Sequence, residues 1–203
     1  MLPDKGYARP PLTGRWRNGT VVCIASGPSL TADDCERVRI WREEATRTEE
    51  KRAVIVANTS FRIAPWADAL FAIDRDWWKM YIQEVYTSFK GERYSKNTQN
   101  PAYNVTQLKE INTYGNSGAG CISMAAQGGA KNVILLGFDA QHTGGISHWH
   151  GDHPVGLGNA GLTNKWLENY KKMANDYNWL SIVNCSRQTA IDCFPRAKLE
   201  DVL

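Results

Sequence analysis

The chain has 203 residues, is 42% hydrophobic and 22% charged, and carries a formal net charge of +3. That composition fits one globular domain with enough chain for a full core. It excludes a transmembrane helix, since no stretch of about 18 residues is apolar throughout. It also gives no support to a nucleic-acid partner, which a much larger positive charge would favour.

Residues 1–19 are rich in Pro, Gly and Arg and are expected as an extended arm over the surface, ahead of a single domain over 20–203. The opening has no apolar h-region, so no secretory signal is expected. The five scattered cysteines form no CxxC pair, and Cys23, Cys121 and Cys185, in apolar runs, suit core thiols in a reducing cytoplasm.

Val21–Ile24 is an uncharged apolar run, suited to a strand buried on both faces of a parallel sheet. It breaks at Ser26-Gly27-Pro28-Ser29, where Gly27 permits a tight turn and Pro28 fixes a new direction. Thr31 offers an N-cap hydroxyl to a helix striped by Cys35, Val38, Trp41 and Ala45. Strand, glycine turn and helix start together can gather backbone amides around a phosphate. The charged stretch from Arg42 to Arg52 reads as a solvated face.

Ala53–Ala57 is the second expected strand, with Asn58 at its end. Ala69–Ile73 is the third, with Asp74 at its end. Trp77–Phe89 has helical periodicity. Residues 90–114 carry polar and turn residues, with short extended pieces around Tyr94 and Ile111, and read as a lid or connector with little regular structure. Asn116–Gly129 is a helix of small residues able to pack close to a sheet, and its start at Ser117 and Gly118 is a second possible anion site. Asn132–Gly137 reads as a buried strand that ends in Gly137-Phe138-Asp139. An amphipathic helix over Lys165–Tyr177, a strand over Trp179–Asn184 and a short closing helix after Pro195 complete the chain.

Strands alternating with helices predict an α/β fold with a doubly wound, mainly parallel, Rossmann-like sheet. Ser26-Gly27, Asn58, Asp74 and Asp139 all follow the carboxyl ends of expected strands, the edge at which open α/β sheets bind ligands. All four histidines, His142, His148, His150 and His153, fall in a Gly-rich loop over 140–160 that follows Asp139. A histidine there suits general-base chemistry, with His148 and His150 as the candidates.

Three pieces of the chain carry a resemblance: Ala25-Ser26-Gly27-Pro28-Ser29-Leu30, Asn116-Ser117-Gly118 with its helix and Gly137-Phe138-Asp139, and Val183-Asn184-Cys185-Ser186. They resemble the superfamily of the family 42 bacterial sialyltransferases and the archaeal 6-hydroxymethylpterin diphosphokinase-like proteins, in particular its small phage and prophage members. The resemblance implies a sialyltransferase-like variant of the fold and a nucleotide or nucleotide-sugar donor, with glycosyl transfer as the activity. It implies that Ser26, Gly27, Pro28 and Ser29 line the nucleotide phosphate or ribose, and that Asn58, Asp74, Ser117 and Gly118 lie near the donor. Asp139 matches an aspartate of the family, whose sialyltransferases place a histidine base in the loop after this strand. The chain departs from them at Ala25-Ser26, lacks a clear match to their two tyrosines and lacks much of their acceptor lid. Nucleotide binding is therefore what the resemblance implies most directly, with the acceptor open and no cofactor required.

Two other readings follow from the same residues. One is a nucleotide-binding protein without catalysis. The other is a metal-dependent hydrolase, because His148-Trp149-His150-Gly151-Asp152-His153 spells HxHxDH, the metal motif of the metallo-β-lactamase fold. That fold needs further histidine ligands downstream, and none follows His153. A divalent metal held by His148, His150, Asp152 or His153 stays an alternative, not an expected requirement.

Overall fold

The central strands are short runs of Val, Ile, Leu, Ala and Cys that leave no face for water, so both sides of the sheet must be covered. The computed structural model describes residues 12–47, 49–154, 157 and 163–203. Its strands are β1 (Thr20–Ile24), β2 (Arg52–Ala57), β3 (Ala69–Ala72), β4 (Glu92–Ser95), β5 (Val105–Gln107), β6 (Asn132–Leu136) and β7 (Ser181–Asn184). They form one sheet in the order β5-β4-β3-β2-β1-β6-β7, with every neighbouring pair parallel. The helices are α1 (Ala32–Glu44), α2 (Arg75–Ser88), α3 (Ser117–Gln127) and α4 (Thr163–Asp176).

Alternate residues of each strand feed two separate cores. Val22, Ile24, Val54, Val56 and Leu70 pack with Val38 and Trp41 of α1 and Trp78 and Val85 of α2. Val21, Cys23, Ile55, Phe71 and Leu135 pack with Ile122 and Ala125 of α3 and Tyr170 and Met173 of α4. Strand order runs one way from β1 to β5 and the other way from β6 to β7. The reversal between β1 and β6 is the switch point at which such sheets open a crevice.

The expected doubly wound α/β fold is thus present, and the element ends differ only slightly. Thr31 caps α1, its hydroxyl accepting from the Asp34 amide at 3.2 Å. Every residue of α3 from Ser117 to Ala126 is buried. A helix sealed on all sides needs small side chains, and Gly120 lies so close to Phe71 that a Cβ would fall within the ring's contact distance. Cys23, Cys121 and Cys185 are buried thiols as expected, and so is Cys35.

Three expectations are corrected. Residues 90–114 are not a bare connector, because β4 and β5 extend the sheet through them. β4 is polar in sequence, yet Tyr94 enters one core and the guanidinium of Arg93 donates to the Phe89 carbonyl at 2.6 Å. Backbone pairing, not periodicity, makes that segment a strand. The N-terminal segment is not a free arm over its described part: Leu12 and Trp16 are buried, and Trp16 donates its amide to the Gly128 carbonyl at 2.7 Å. Residues 1–11 lie outside the described residues. The charged stretch is mostly exposed among its described residues, as expected, with Arg42 at its start holding Asp68 through both carboxylate oxygens. After Pro195 only a 3-10 turn forms, at Leu199–Asp201. Among the described residues no helix is long and apolar enough to cross a membrane.

Gly120→Ala is expected to destabilise the fold by about 2 kcal/mol, since the fully buried Phe71 cannot move aside without strain. Urea unfolding of the variant checks this, and an unchanged midpoint would mean that α3 and the sheet can part at no cost.

Candidate functional site

All seven parallel strands end on the same edge of the sheet, and five of them lead into one site. The residues that follow them, Ala25–Pro28 after β1, Asn58 after β2, Ile73 and Asp74 after β3, Lys96 and Asn97 after β4, and Gly137–Gln141 after β6, line one cavity of about 380 Å³. The start of α3 contributes Asn116, Ser117 and Gly118, the loop contributes Ser147, His148 and His153, and α4 contributes Trp166 and Tyr170. Of the residues singled out in the sequence, Ser26, Gly27, Pro28, Asn58, Asp74, Ser117, Gly118, Asp139, His148 and His153 meet at this cavity. Ser29, His150 and Asp152 do not line it.

Ser29 is absent from the lining because Asp139 holds it. The Ser29 amide donates to Oδ2 of Asp139 at 2.7 Å, and the Ser29 hydroxyl donates to Oδ1 at 2.7 Å. A Cβ at Gly27 would collide with that carboxylate and with the Gly137 carbonyl, so only glycine fits. Burial pushes the Asp139 carboxyl above its ordinary range, and the two Ser29 bonds oppose the shift. With both oxygens engaged, Asp139 positions the turn and is not a free base. The residues after β7 support it: the Ser186 hydroxyl accepts from the Phe138 amide at 2.7 Å, and the Ala190 amide donates to the Asp139 carbonyl at 2.8 Å.

The glycine turn does not form the amide cradle that its sequence suggests. Gly27 donates to the Gly137 carbonyl at 2.8 Å, Ser29 to Asp139, and Leu30 to the Gly27 carbonyl at 3.1 Å, while Pro28 has no N–H. The helix that follows carries Asp33 and Asp34 in its first turn, which repel an anion. α3 is the opposite case. Its first turn has no acidic residue, and its N-cap Asn116 takes the Ala119 amide at 2.8 Å. Ser117 is committed to the fold, its hydroxyl accepting from the Ile73 amide at 3.2 Å.

Asn58 and Ala140 both line the cavity and both have φ of 48°. Left-handed backbone at two non-glycine residues is a conformation that folded surroundings must impose, and it gathers at binding sites. Oδ1 of Asn58 is buried without a hydrogen-bond partner. Asp74 sits exposed at the rim, yet the atoms around it desolvate its carboxyl enough to push it upward, with Asp76 adding to the effect.

The histidine loop places three imidazoles together. Ring centroids are 5.2 Å apart for His148 and His150, 4.9 Å for His148 and His153, and 5.0 Å for His150 and His153. Burial is the main cause that holds all three below the ordinary histidine value, His150 down to about 4, with their mutual repulsion contributing at His148 and His150. The rings of His148 and His150 stack within 9° of parallel. Among the described residues no three His, Cys, Asp or Glu side chains are placed to hold a metal ion, and Asp152 is exposed. The loop residues 155, 156 and 158–160 lie outside the described residues.

Lys96, Asn97, Thr113, Gln141, Trp166 and Tyr170 line the cavity and were not singled out, and Asn116, quoted in a motif, was given no role of its own. Lys96 and Asn97 follow a strand end as Asn58 and Asp74 do, so recognising β4 would have found them. Trp166 and Tyr170 read from sequence only as the apolar face of α4. No family model matches the chain, and no curated protein matches it significantly.

The depressed histidines make folding take up fewer protons than the unfolded chain, so stability rises with pH where the unfolded imidazoles still bind protons. Melting temperature is expected to fall as pH drops from the ordinary histidine value of 6.5 toward about 4, the folded value of His150. Replacing His148, His150 and His153 together with Gln should flatten the upper part of that profile. A slope unchanged by the triple variant would assign it to other groups.

Proposed function

We propose that the chain is a nucleotide- or nucleotide-sugar-binding transferase that moves a glycosyl group, with His148 as the general base. The observation that carries this reading is the convergence of five strand ends and the α3 start on one cavity at the switch point of the sheet. Its volume lies within the range of roughly 300–1,000 Å³ that small-molecule sites occupy. The resemblance of the Ser26–Ser29 turn, the Ser117-Gly118 helix start and Asp139 to the sialyltransferase superfamily supports the same reading.

His148 is favoured over His150 because it lines the cavity. Burial keeps its imidazole neutral near pH 7, and its Nε2 is buried without a hydrogen-bond partner. In the proposed step, a lone pair of His148 takes the proton of an acceptor hydroxyl as the hydroxyl oxygen bonds to the sugar's anomeric carbon. The bond from that carbon to the nucleotide phosphate oxygen breaks, and its electron pair leaves with the phosphate. Donors fixed in advance at the α3 start would meet the developing charge. A second reading, binding without catalysis, is favoured by the engagement of both Asp139 oxygens with Ser29.

A panel of CMP, CMP-sugars, UDP-sugars and GDP-sugars in a thermal-shift assay tests the binding. A ligand at 100 times its Kd stabilises by about 2.7 kcal/mol. At least one nucleotide should raise the melting temperature, and wild type should release free nucleotide from the matching sugar donor. His148→Gln should keep the shift and lose release by a factor of about 100 or more. No shift with any of them would sink the nucleotide reading, and full turnover by His148→Gln would remove its assigned role.

A further inference from the structure

We infer that the α3 end of the cavity is a phosphate subsite in which Lys96 and Asn116 bind the ligand directly. The inference deepens the nucleotide reading and rests on it only for the identity of the whole ligand.

The elements meet through recorded bonds. Ser95 pairs with Ala72 in the β3–β4 register, so Lys96 leaves β4 beside Ile73. The Ile73 amide donates to the hydroxyl of Ser117, the first residue of α3. The side chain of Lys96 then reaches the segment that leads into α3, where Nζ donates to the Ile111 carbonyl at 2.5 Å and the Lys109 carbonyl at 3.5 Å. Both partners are neutral, and an ammonium has three hydrogens to give. Among the described residues Lys96 has no carboxylate partner, and it is the one Lys or Arg of the cavity lining.

Asn116 supplies the independent sign of a ligand. Its Oδ1 accepts from the Ala119 amide at 2.8 Å and from the Tyr170 hydroxyl at 3.0 Å. Those two donors fix which end of the amide is oxygen. The other end, Nδ2, is buried without a hydrogen-bond partner. A buried NH₂ group without an acceptor is costly, and such orphans call for an explanation. Because Nδ2 only donates, the missing partner must accept.

The first two amides of α3, those of Ser117 and Gly118, have no acceptor within their own helix. The helix is 11 residues long and its first turn carries no acid. Ammonium, amide NH₂, two backbone N–H groups and the positive end of a helix all demand acceptors with negative charge. A phosphate meets that demand with several oxygens, whereas a sugar hydroxyl would bring a hydrogen to a site already full of them. Of the two carboxylates in the lining, Asp139 is bonded to Ser29, and Asp74 is exposed to solvent at the start of α2. The α1 end cannot serve, since its turn amides are taken and its first turn is acidic.

Calorimetric titration with inorganic pyrophosphate, CMP and cytidine tests this on the full chain. Wild type should bind pyrophosphate, less tightly as salt rises. Lys96→Gln and Asn116→Ala should each weaken pyrophosphate binding about tenfold, the usual effect of losing a hydrogen bond to a charged group. Lys96→Arg, which keeps the charge, should retain most of the affinity, and the melting temperature of each variant verifies its fold. Pyrophosphate binding that Lys96→Gln and Asn116→Ala leave intact, or no pyrophosphate binding by wild type, would overturn the subsite. If pyrophosphate binds through Lys96 and Asn116 while CMP binds no better than pyrophosphate, the subsite stands and the nucleotide reading falls. If CMP and cytidine bind equally, the nucleoside pocket stands and the subsite falls.

Discussion

Asp139 reaches from the end of β6 into the turn after β1 and closes the gap between the two strands at which the sheet reverses. The residue is 1% exposed, and its carboxylate takes two donors from Ser29, each at 2.7 Å. Hydrogen bonds to a charged acceptor contribute roughly 1.5–3 kcal/mol each, enough to set the path of a short turn. The arrangement also dictates residues around it. Gly27 lacks the Cβ that would strike the carboxylate, and Gly137, at φ 67°, turns the chain so that Asp139 faces β1. Asn184, fully buried at the end of β7, orders the loop behind: its Oδ1 accepts from the Ser186 amide at 3.0 Å, and its Nδ2 donates to Thr189 at 3.1 Å. The position and shape of the cavity depend on this one buried carboxylate.

Once the switch point is fixed, α3 decides the electrostatics. Two helix starts, those of α1 and α3, look alike in sequence as possible anion sites. Around α1 the turn amides close on neighbouring acceptors, and Asp34 forms an ion pair with Arg187 at 2.8 Å. Around α3 the small residues let the helix sink between the sheet and α4, so its start lies in the cavity wall. Close packing by Gly118 beside Phe138 and Tyr170 is the steric condition for that placement. A helix chosen for its smallness thereby brings its positive end, unneutralised, to a site that also holds Lys96.

The histidine loop brings a different property. Its imidazoles crowd one another and are partly desolvated, which favours their neutral form. A neutral ring can accept a proton, and only those rings that line the cavity can do so for a bound molecule. Position in the fold, not residue type, separates His148 from His150.

The alternation of apolar runs with amphipathic stretches was enough to establish the parallel sheet, four of its helices and the edge at which Ser26, Asn58, Asp74 and Asp139 assemble. Those features are legible because periodicity and strand-end position follow from burial, which each residue's own chemistry reports. Around Tyr94 only a short extended piece was legible, not a strand of the sheet, because Glu92, Arg93 and Ser95 belong to β4 through backbone pairing alone, and Lys96 was hidden with it. Tertiary contacts also decided which donors remain available. Ser29 and Asp139 are 110 residues apart, and their bond turns an apparent phosphate cradle into a closed turn. Asn116 and Tyr170 are 54 apart, and theirs leaves an amide group without a partner. A sequence names donors and acceptors, but only the folded chain determines which of them have already met.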